Sequence, residues 1–470
     1  MMKYEIVMIY SNFLPFYGYV KTVYFIGIGG IGISAIAKIL ILLGINVSGS
    51  DLKINNNIQR LISLGANINI GHNAENIFNI DIIVKSSAIM EDNPELIVAK
   101  KKGIKVISRA NMLAAIMHSK YGIVVLGSHG KTTTSSLVVS IMSYAKLDPT
   151  FMIGGILNSI GSNAYLGEGN FVVAECDESD GSFINFDPNN IILTNIDNEH
   201  LEFWGNRENL ESALICFVNR LSFPDFLIAC VDCENVLKIL PYITSKIITY
   251  SIHYDAEFKA VNISFNKFFT DFTVIKNNKI LGNVHINLIG EHNVLNTLAS
   301  IALCDGLGIP FNIISQGLDL FIGIQRRFQL VGKKNNILVI DDYGHHPTEI
   351  RAVIKAASLS FPNRRLIVLF QPHRFSRTKY LFEDFALCFQ LVDVLIITDI
   401  YSVLEKNIYN IKSSILCRKI KYNKITNVIY GGNIDNASNI LLKLVKSGDL
   451  IITLGAGSIS KVAKYILTKL

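Results

Sequence analysis

Gly127-Ser128-His129-Gly130-Lys131-Thr132-Thr133-Thr134 carries the residue types that hold a nucleotide phosphate. The apolar run Tyr121 to Leu126 precedes it, and Ser135 to Met142 can continue as a helix. A glycine turn between strand and helix aims backbone N–H groups at phosphate oxygens, and the helix N-terminus adds the positive end of its dipole. Lys131 then reaches the outer phosphates, and the Thr132 hydroxyl can ligate Mg²⁺. The string is a short form, because Val125 stands where the long P-loop has its first glycine. Between a strand and a helix it predicts use of a nucleoside triphosphate.

A second glycine turn, Gly27-Ile28-Gly29-Gly30-Ile31-Gly32, follows Val23 to Ile26 and precedes a helical stretch from Ile33 to Leu43. Asp51 closes the next run, which completes the βαβ pattern for a ribose and a pyrophosphate. Taken alone, this pattern would indicate NAD and an oxidoreductase. Ser86 and Ser87 end the strand candidate Ile82 to Lys85, where hydroxyls can touch a nucleotide.

Acids gather at two further strand ends. Glu175, Asp177, Glu178 and Asp180 follow Phe171 to Ala174, and Asp197-Asn198-Glu199-His200 follows Ile191 to Ile196. An open α/β sheet holds ligands at such ends, and Mg²⁺ needs one or two protein oxygens besides phosphate and water. Glu175 and His200 are the expected members of that shell. Nearer the C-terminus, Ile337 to Ile340 leads into Asp341-Asp342-Tyr343-Gly344-His345-His346-Pro347, and Leu366 to Phe370 leads into Gln371-Pro372-His373-Arg374-Phe375-Ser376-Arg377-Thr378. Three histidines and two arginines at adjacent strand ends predict a site for anions or carboxylates.

The elements that must position these groups alternate apolar runs with helical stretches, the pattern of parallel α/β sheets. At 470 residues the chain is long enough for about three domains. The expected class is α/β with a Rossmann-like domain over 1–117, a P-loop ATPase domain over 118–325 and a second Rossmann-like domain over 326–470. Tyr250 to His285, with short runs and Asn/Lys turns, predicts an antiparallel excursion. Half of the residues are hydrophobic and 17% are charged, which excludes a disordered chain. The uncharged stretch Thr22 to Ala37 is short for a membrane span and contains four glycines, so strand, turn and helix explain it. Residues 1–20 lack the layout of a secretory signal. The net charge of +6 is spread out; Lys100-Lys101-Lys102 suits a solvated helix end rather than a nucleic-acid surface. Seven scattered cysteines, with Cys230 and Cys233 as a structural pair, suit reduced thiols in a cytosol.

These strings, in this order, resemble the Mur ligase family, and within it the members that join L-alanine to UDP-N-acetylmuramate in the cytoplasm during peptidoglycan synthesis. The resemblance rests on Gly27–Gly32, Ser48–Asp51, Ser86–Ile89, Gly127–Thr134, Ala174–Asp180, Thr194–Ile196 with His200, His292-Asn293, Arg326–Phe328, Asp341–Thr348 and Phe370–Thr378. It runs from about Val23 to about Ala463. It implies that Gly27, Gly29, Gly30, Gly32, Asp51, Ser86, Ser87 and Arg109 hold a UDP-sugar rather than NAD. Gly127, Ser128, His129, Gly130, Lys131, Thr132 and Thr133 would hold ATP phosphate, with Asn293, Asn296, Arg327 and Asp342 on the rest of the nucleotide. Thr132, Glu175 and His200 would ligate Mg²⁺ or Mn²⁺. Tyr343, His345, His373, Arg374 and Arg377 would position sugar and amino acid. Lys131, Glu175, His200, His346 and Arg377 are the catalytic candidates.

The implied substrates are small molecules, with no nucleic acid and no membrane insertion, for a monomer or homodimer. An acyl phosphate on the lactyl carboxylate is the implied intermediate, and its protection from water calls for domain closure. Glu199, Glu202, Glu291 and Gln325 depart from the family pattern. Two other readings stand beside this one: a sister ligase that attaches recycled peptide to the same sugar nucleotide, and a decayed nucleotide-binding protein.

Overall fold

The computed structural model describes residues 13–14, 17–86, 88–179, 181–199, 201–403, 405–423 and 427–470. The chain forms two compact units. One comprises the chain up to Lys259 with Val274–Gly282 and Leu295–Leu320; the other comprises Ala260–Thr273, Asn283–Val294 and Phe321–Leu470.

The first unit begins with a five-stranded parallel sheet in the order Asn67–Ile70, Asn46–Asp51, Thr22–Ile26, Ile82–Lys85, Lys105–Ser108. Thr22–Ile26 has the next strand in sequence on one side and a later one on the other. That reversal leaves a crevice at its carboxyl end, where a doubly wound sheet takes a ligand. The Gly27 turn occupies this point, and helix Ile31–Leu42 leaves it. Ile33, Ile36, Ile39 and Leu40 bury one stripe of that helix. Short polar caps start the other helices: the Asn55 side chain accepts from Ile58 N at 3.0 Å, and Ser108 accepts from Asn111 N at 3.1 Å. The uncharged stretch from Thr22 is therefore strand, turn and helix, as expected, and the Lys100 run ends helix Pro94–Lys101.

A second sheet in this unit repeats the device. Its order is Ser162–Tyr165, Thr150–Leu157, Phe171–Glu175, Tyr121–Leu126, Asn190–Leu193, Phe226–Cys230, Lys246–Ser251. All pairs are parallel except the Thr150–Leu157/Ser162–Tyr165 hairpin. Tyr121–Leu126 is the reversal strand, and its buried pattern is the continuous apolar run that two covered faces require. Past Lys246–Ser251 come Phe258–Phe265, Thr270–Lys276 and Lys279–Ile286. Asn277 and Asn278 join the last two with φ of +48° and +62°, the two-residue turn of an antiparallel hairpin.

The second unit contains a six-stranded sheet in the order Gln329–Lys334, Ile337–Asp342, Leu450–Leu454, Leu366–Phe370, Val394–Thr398, Asn427–Gly432. Only the first pair is antiparallel. Alternate residues face opposite cores: Leu338 and Ile340 join one cluster, and Ile337 and Val339 the other. The four strands expected from apolar runs are present, with two edge strands added. All seven cysteines are free, Cys230 and Cys233 included. Among the described residues no helix is long and apolar enough to cross a membrane.

Candidate active site

The phosphate turn is shaped by two glycines that no other residue replaces. Gly127 has φ +119° and Gly130 has φ +83°, and a Cβ at either would strike Thr194 Oγ1 or Asn296 Oδ1 respectively. Helix Lys131–Tyr144 starts at Gly130 with no side-chain cap and no acid in its first turn. The first turn therefore brings no carboxylate of its own to compete for the leading N–H groups, which suits an anion site. Thr194 Oγ1 donates to His129 O at 2.7 Å, and His129 N donates to Asn195 Oδ1 at 2.8 Å, so the next strand end braces the turn. His129 Nε2 donates to Asp197 Oδ2 at 2.9 Å. Ser128 Oγ accepts from Asp197 N at 2.9 Å.

Lys131 Nζ donates to Gly127 O at 2.6 Å and to Glu178 Oε2 at 3.1 Å. Burial works against its ammonium, but Glu178, Asp177 and Glu199 outweigh it and hold the pKa above the ordinary lysine range. Thr132 Oγ1 donates to Glu175 Oε2 at 2.9 Å. Ser135 Oγ (3.0 Å) and Gly154 N (2.6 Å) donate to Glu175 Oε1. Thr133 is buried one residue further along the helix. Glu178 is buried, and its Oε1 has no hydrogen-bond partner among the described residues. A hydroxyl, two carboxylates, an orphaned carboxylate oxygen and a lysine fit a Mg²⁺–triphosphate pair, which would neutralise the acids and draw Lys131 to phosphate. His200 and Ser87 lie outside the described residues. Asn296, buried, accepts from Thr134 Oγ1 at 3.2 Å and packs against Gly130, which places it on the phosphate turn.

At the Gly27 turn, Gly27 N and Ile28 N donate to Ser50 O at 2.8 and 3.0 Å. Asp51 accepts from Gly29 N at 2.8 Å and from Leu52 N at 2.7 Å, so it builds the turn with both oxygens. Gly30 caps its helix with no side-chain bond. A Cβ at Gly32 would strike Arg109, which heads helix Arg109–Met117 and so lies against the anion-binding end of Ile31–Leu42. Ser86 continues the strand beside this turn, its N donating to Ile26 O at 3.1 Å.

In the second unit, Asp342 is buried and accepts from Phe328 N and Gly344 N, both at 2.7 Å. Burial pushes its carboxyl up to about 6, although Arg327 and those N–H groups pull the other way. Arg326 and Arg327 stack on the Tyr343 ring at 4.8 and 5.4 Å. His345 packs edge-on against Tyr343 and His373. His346 is the N-cap of helix Pro347–Ser360 and is 3% exposed. Arg377 Nη1 donates to His373 Nδ1 at 3.2 Å, so the neutral His373 ring carries its proton on Nε2. Arg374 sits at φ +69°, and among the described residues its guanidinium has no hydrogen bond or ion pair. The arginine-rich strand ends expected to bind a carboxylate are thus brought together. Glu291 forms an ion pair with Lys355 at 2.6 Å, which cancels the charge that departs from the family pattern. Asn293 donates to Ile289 O at 2.8 Å and is buried. Gln325 is exposed.

Two residues of this cluster were not singled out in the sequence. Glu349 accepts from His345 N at 3.0 Å and lies 3.9 Å from Arg327. Its spacing three residues after His346 is a capping box, a signal available in the string itself. Tyr401 stacks on His373 at 5.8 Å and 11°, and its carbonyl accepts from Arg374 N at 2.8 Å.

The histidines set a pH dependence. Burial first, then His345, Arg377, Arg374 and Arg326, depress His373 from 6.5 to about 3. Burial and Arg327 depress His292 to about 4. Both are neutral in the fold, so their stabilisation is complete above 6.5 and is lost as pH falls toward those values. Asp342, raised from 3.8 to about 6, has the opposite sign: its contribution is full below 3.8 and lost as pH rises through 6. From 6.5 to 6 the histidines act alone, and below 6 Asp342 offsets one of the two. The melting temperature is therefore expected to fall between pH 7.5 and pH 5, and His373→Asn to flatten the fall, in calorimetric scans. An equal slope in both proteins would refute the assignment.

Three family descriptions match in succession: "Mur ligase family, catalytic domain" over residues 22–121, "Mur ligase middle domain" over 125–304 and "Mur ligase, glutamate ligase domain" over 326–457. The chain is 44% identical over 455 residues to the UDP-N-acetylmuramate–L-alanine ligase of Trichlorobacter lovleyi, covering 97% of this chain and 100% of that protein. The corresponding ligase of Geotalea uraniireducens is 46% identical over 454 residues, covering 97% and 99%. The crystal structure of the UDP-N-acetylmuramate-alanine ligase of Thermotoga maritima superposes with a TM-score of 0.81 at 29% identity, covering 95% and 98%. A murein peptide ligase from Psychrobacter arcticus shares the fold, with a TM-score of 0.71 at 23% identity over 95% and 98%. Phosphate turn, acid cluster and arginine-rich strand ends thus lie in the order that these matches span, and the chain belongs to the Mur ligase family.

Proposed function

We propose that this chain joins L-alanine to the lactyl carboxylate of UDP-N-acetylmuramate, coupled to ATP cleavage, in cytoplasmic peptidoglycan precursor synthesis. The observation that carries the ATP-dependent chemistry is the convergence of Thr132, Ser135 and Gly154 on Glu175 beside Lys131. The full-length similarity to alanine-adding ligases supports the choice of substrates.

With ATP and Mg²⁺ bound, the lactyl carboxylate would attack the γ-phosphate and release ADP, giving an acyl phosphate from which the alanine amine, losing a proton, would displace phosphate to form the amide. The chain's own residues make that encounter of anions possible. Lys131 and the leading N–H groups of Lys131–Tyr144 hold phosphate oxygens, and Thr132 and Glu175 would hold the metal. The Gly27 turn and Arg109 would hold the pyrophosphate of the sugar nucleotide. Arg374 and Arg377 would hold a carboxylate, with neutral His373 keeping Arg377 in place through Nδ1. The alanine amine needs a base; His200 is a candidate, as is a histidine of the second unit.

Phosphate release with ATP, Mg²⁺ and UDP-N-acetylmuramate, with and without L-alanine, tests the proposal. Release is expected to require both the sugar nucleotide and L-alanine. Release with a tripeptide but not with alanine would transfer the chain to the peptide-recycling reaction. No release with any amine donor would leave a nucleotide-binding role.

A further inference from the structure

Behind the Gly27 turn, the first unit holds a pocket of about 290 Å³. Helix Ile31–Leu42, helix Asn56–Ser63 and the turn of the Thr150–Leu157/Ser162–Tyr165 hairpin enclose it. Lys38, Arg60, Ser34, Asn57, Ser162 and Asn163 supply its polar lining, and among the described residues no carboxylate lines it.

Lys38 lies seven residues into its helix, about 10 Å along the axis from the Gly30 end, so it does not serve the anion site there. Its Nζ donates to Ser162 Oγ at 2.9 Å and to Ala164 O at 2.8 Å, which leaves a third N–H. Neither Lys38 nor Arg60 has an ion-pair partner among the described residues, and the Arg60 guanidinium has no hydrogen bond there either. Burial, and then the charge of Arg60, lower the pKa of Lys38. Asn57 donates to Gly29 O at 3.0 Å and Asn163 to Ile31 O at 3.1 Å, so the walls are fixed by bonds that give neither cation a counter-charge. Two like charges facing one concavity without an acid repel each other, and a bound anion would reverse the sign of that interaction.

We propose that this pocket binds a small phosphate-bearing anion, of the inorganic phosphate or diphosphate class, between Lys38 and Arg60. The bound anion would tie helix Ile31–Leu42 to the hairpin. The strand Thr150–Leu157 of that hairpin also carries Gly154, whose N–H holds Glu175 at 2.6 Å. Occupancy would thereby stiffen the support of the acid cluster.

Calorimetric titration of the full chain with inorganic pyrophosphate, and separately with orthophosphate, tests this. Pyrophosphate is expected at three places: this pocket, the Lys131 turn and the Gly27 turn with Arg109. Arg60→Gln should weaken one class of site about tenfold and leave the others, as loss of one charge-assisted contact predicts. Lys131→Ala should weaken a different class and leave the Arg60 class unchanged, so failure of the phosphate-turn assignment and failure of this proposal show in different classes. Arg60 is exposed, so its replacement leaves the fold and the phosphate-release rate without added pyrophosphate unchanged. Lys38→Gln should reproduce the loss. Binding of both anions, or of pyrophosphate alone, supports the site and distinguishes a single-phosphate from a diphosphate ligand. Identical isotherms for the unaltered chain, Arg60→Gln and Lys38→Gln would overturn it.

Discussion

Lys131→Ala is expected to lower phosphate release by about 10³-fold or more, the scale of losing a cation that stabilises a transferring phosphoryl group. Affinity for UDP-N-acetylmuramate should change far less, because the Gly27 turn and Arg109 would hold its pyrophosphate. The variant has a second effect. Among the described residues, Glu178, 3% exposed, loses its only cation contact, at 3.1 Å, and its Oε1 already has no hydrogen-bond partner. A buried carboxylate left alone destabilises by about 3 kcal/mol. Glu178→Gln combined with Lys131→Ala should therefore recover much of the melting temperature and none of the turnover. Stability and chemistry separate in that pair. Turnover surviving in Lys131→Ala would show that the phosphate-turn assignment is wrong.

Arg377→Met is expected to lower kcat/KM by about 10²-fold, the range for removing one preorganised donor from developing charge. Its effect on His373 is a readout that lost packing alone would not give. Arg377 is one of the charges that depress His373 to about 3, and it donates to Nδ1 at 3.2 Å. Without it the imidazole should titrate closer to 6.5, visible in the His373 ring resonances. Burial, the larger cause, would keep it below that value. Lost activity with an unmoved His373 titration would mean that Arg377 does not sit against the ring in solution.

The chemistry was legible wherever it is local. Gly27–Gly32 and Gly127–Thr132 lie at strand-to-helix turns, and the φ values above zero at Gly27, Gly127 and Gly130 are properties of a few consecutive residues. Apolar runs ending in polar residues located the strand ends of both units, because a parallel sheet covered on both faces needs continuous apolar strands. The Asp341–Thr348 and Phe370–Thr378 strings were brought together because Ile337–Asp342 and Leu366–Phe370 both pair with Leu450–Leu454 in a parallel sheet.

What the sequence could not give is which of several equivalent side chains meets which. Glu175 was expected in the metal shell ahead of Asp177 and Glu178, but the chain did not show which groups each acid would meet. In the fold Glu175 takes the Thr132, Ser135 and Gly154 donors, and Glu178 is the buried partner of Lys131. Asp51, expected at the sugar nucleotide, also closes the glycine turn, a contact the chain did not show. Only the fold showed that His346, a catalytic candidate, also caps a helix and that Tyr401, never singled out, stacks on His373. Lys38 and Ser162 are 124 positions apart and share one pocket. Motif, strand and turn follow from short-range sterics and from the burial of apolar runs, which any window of the sequence displays. Partner choice among polar groups depends on distances set by sheet order and by the packing of remote helices, and only the tertiary structure decides those.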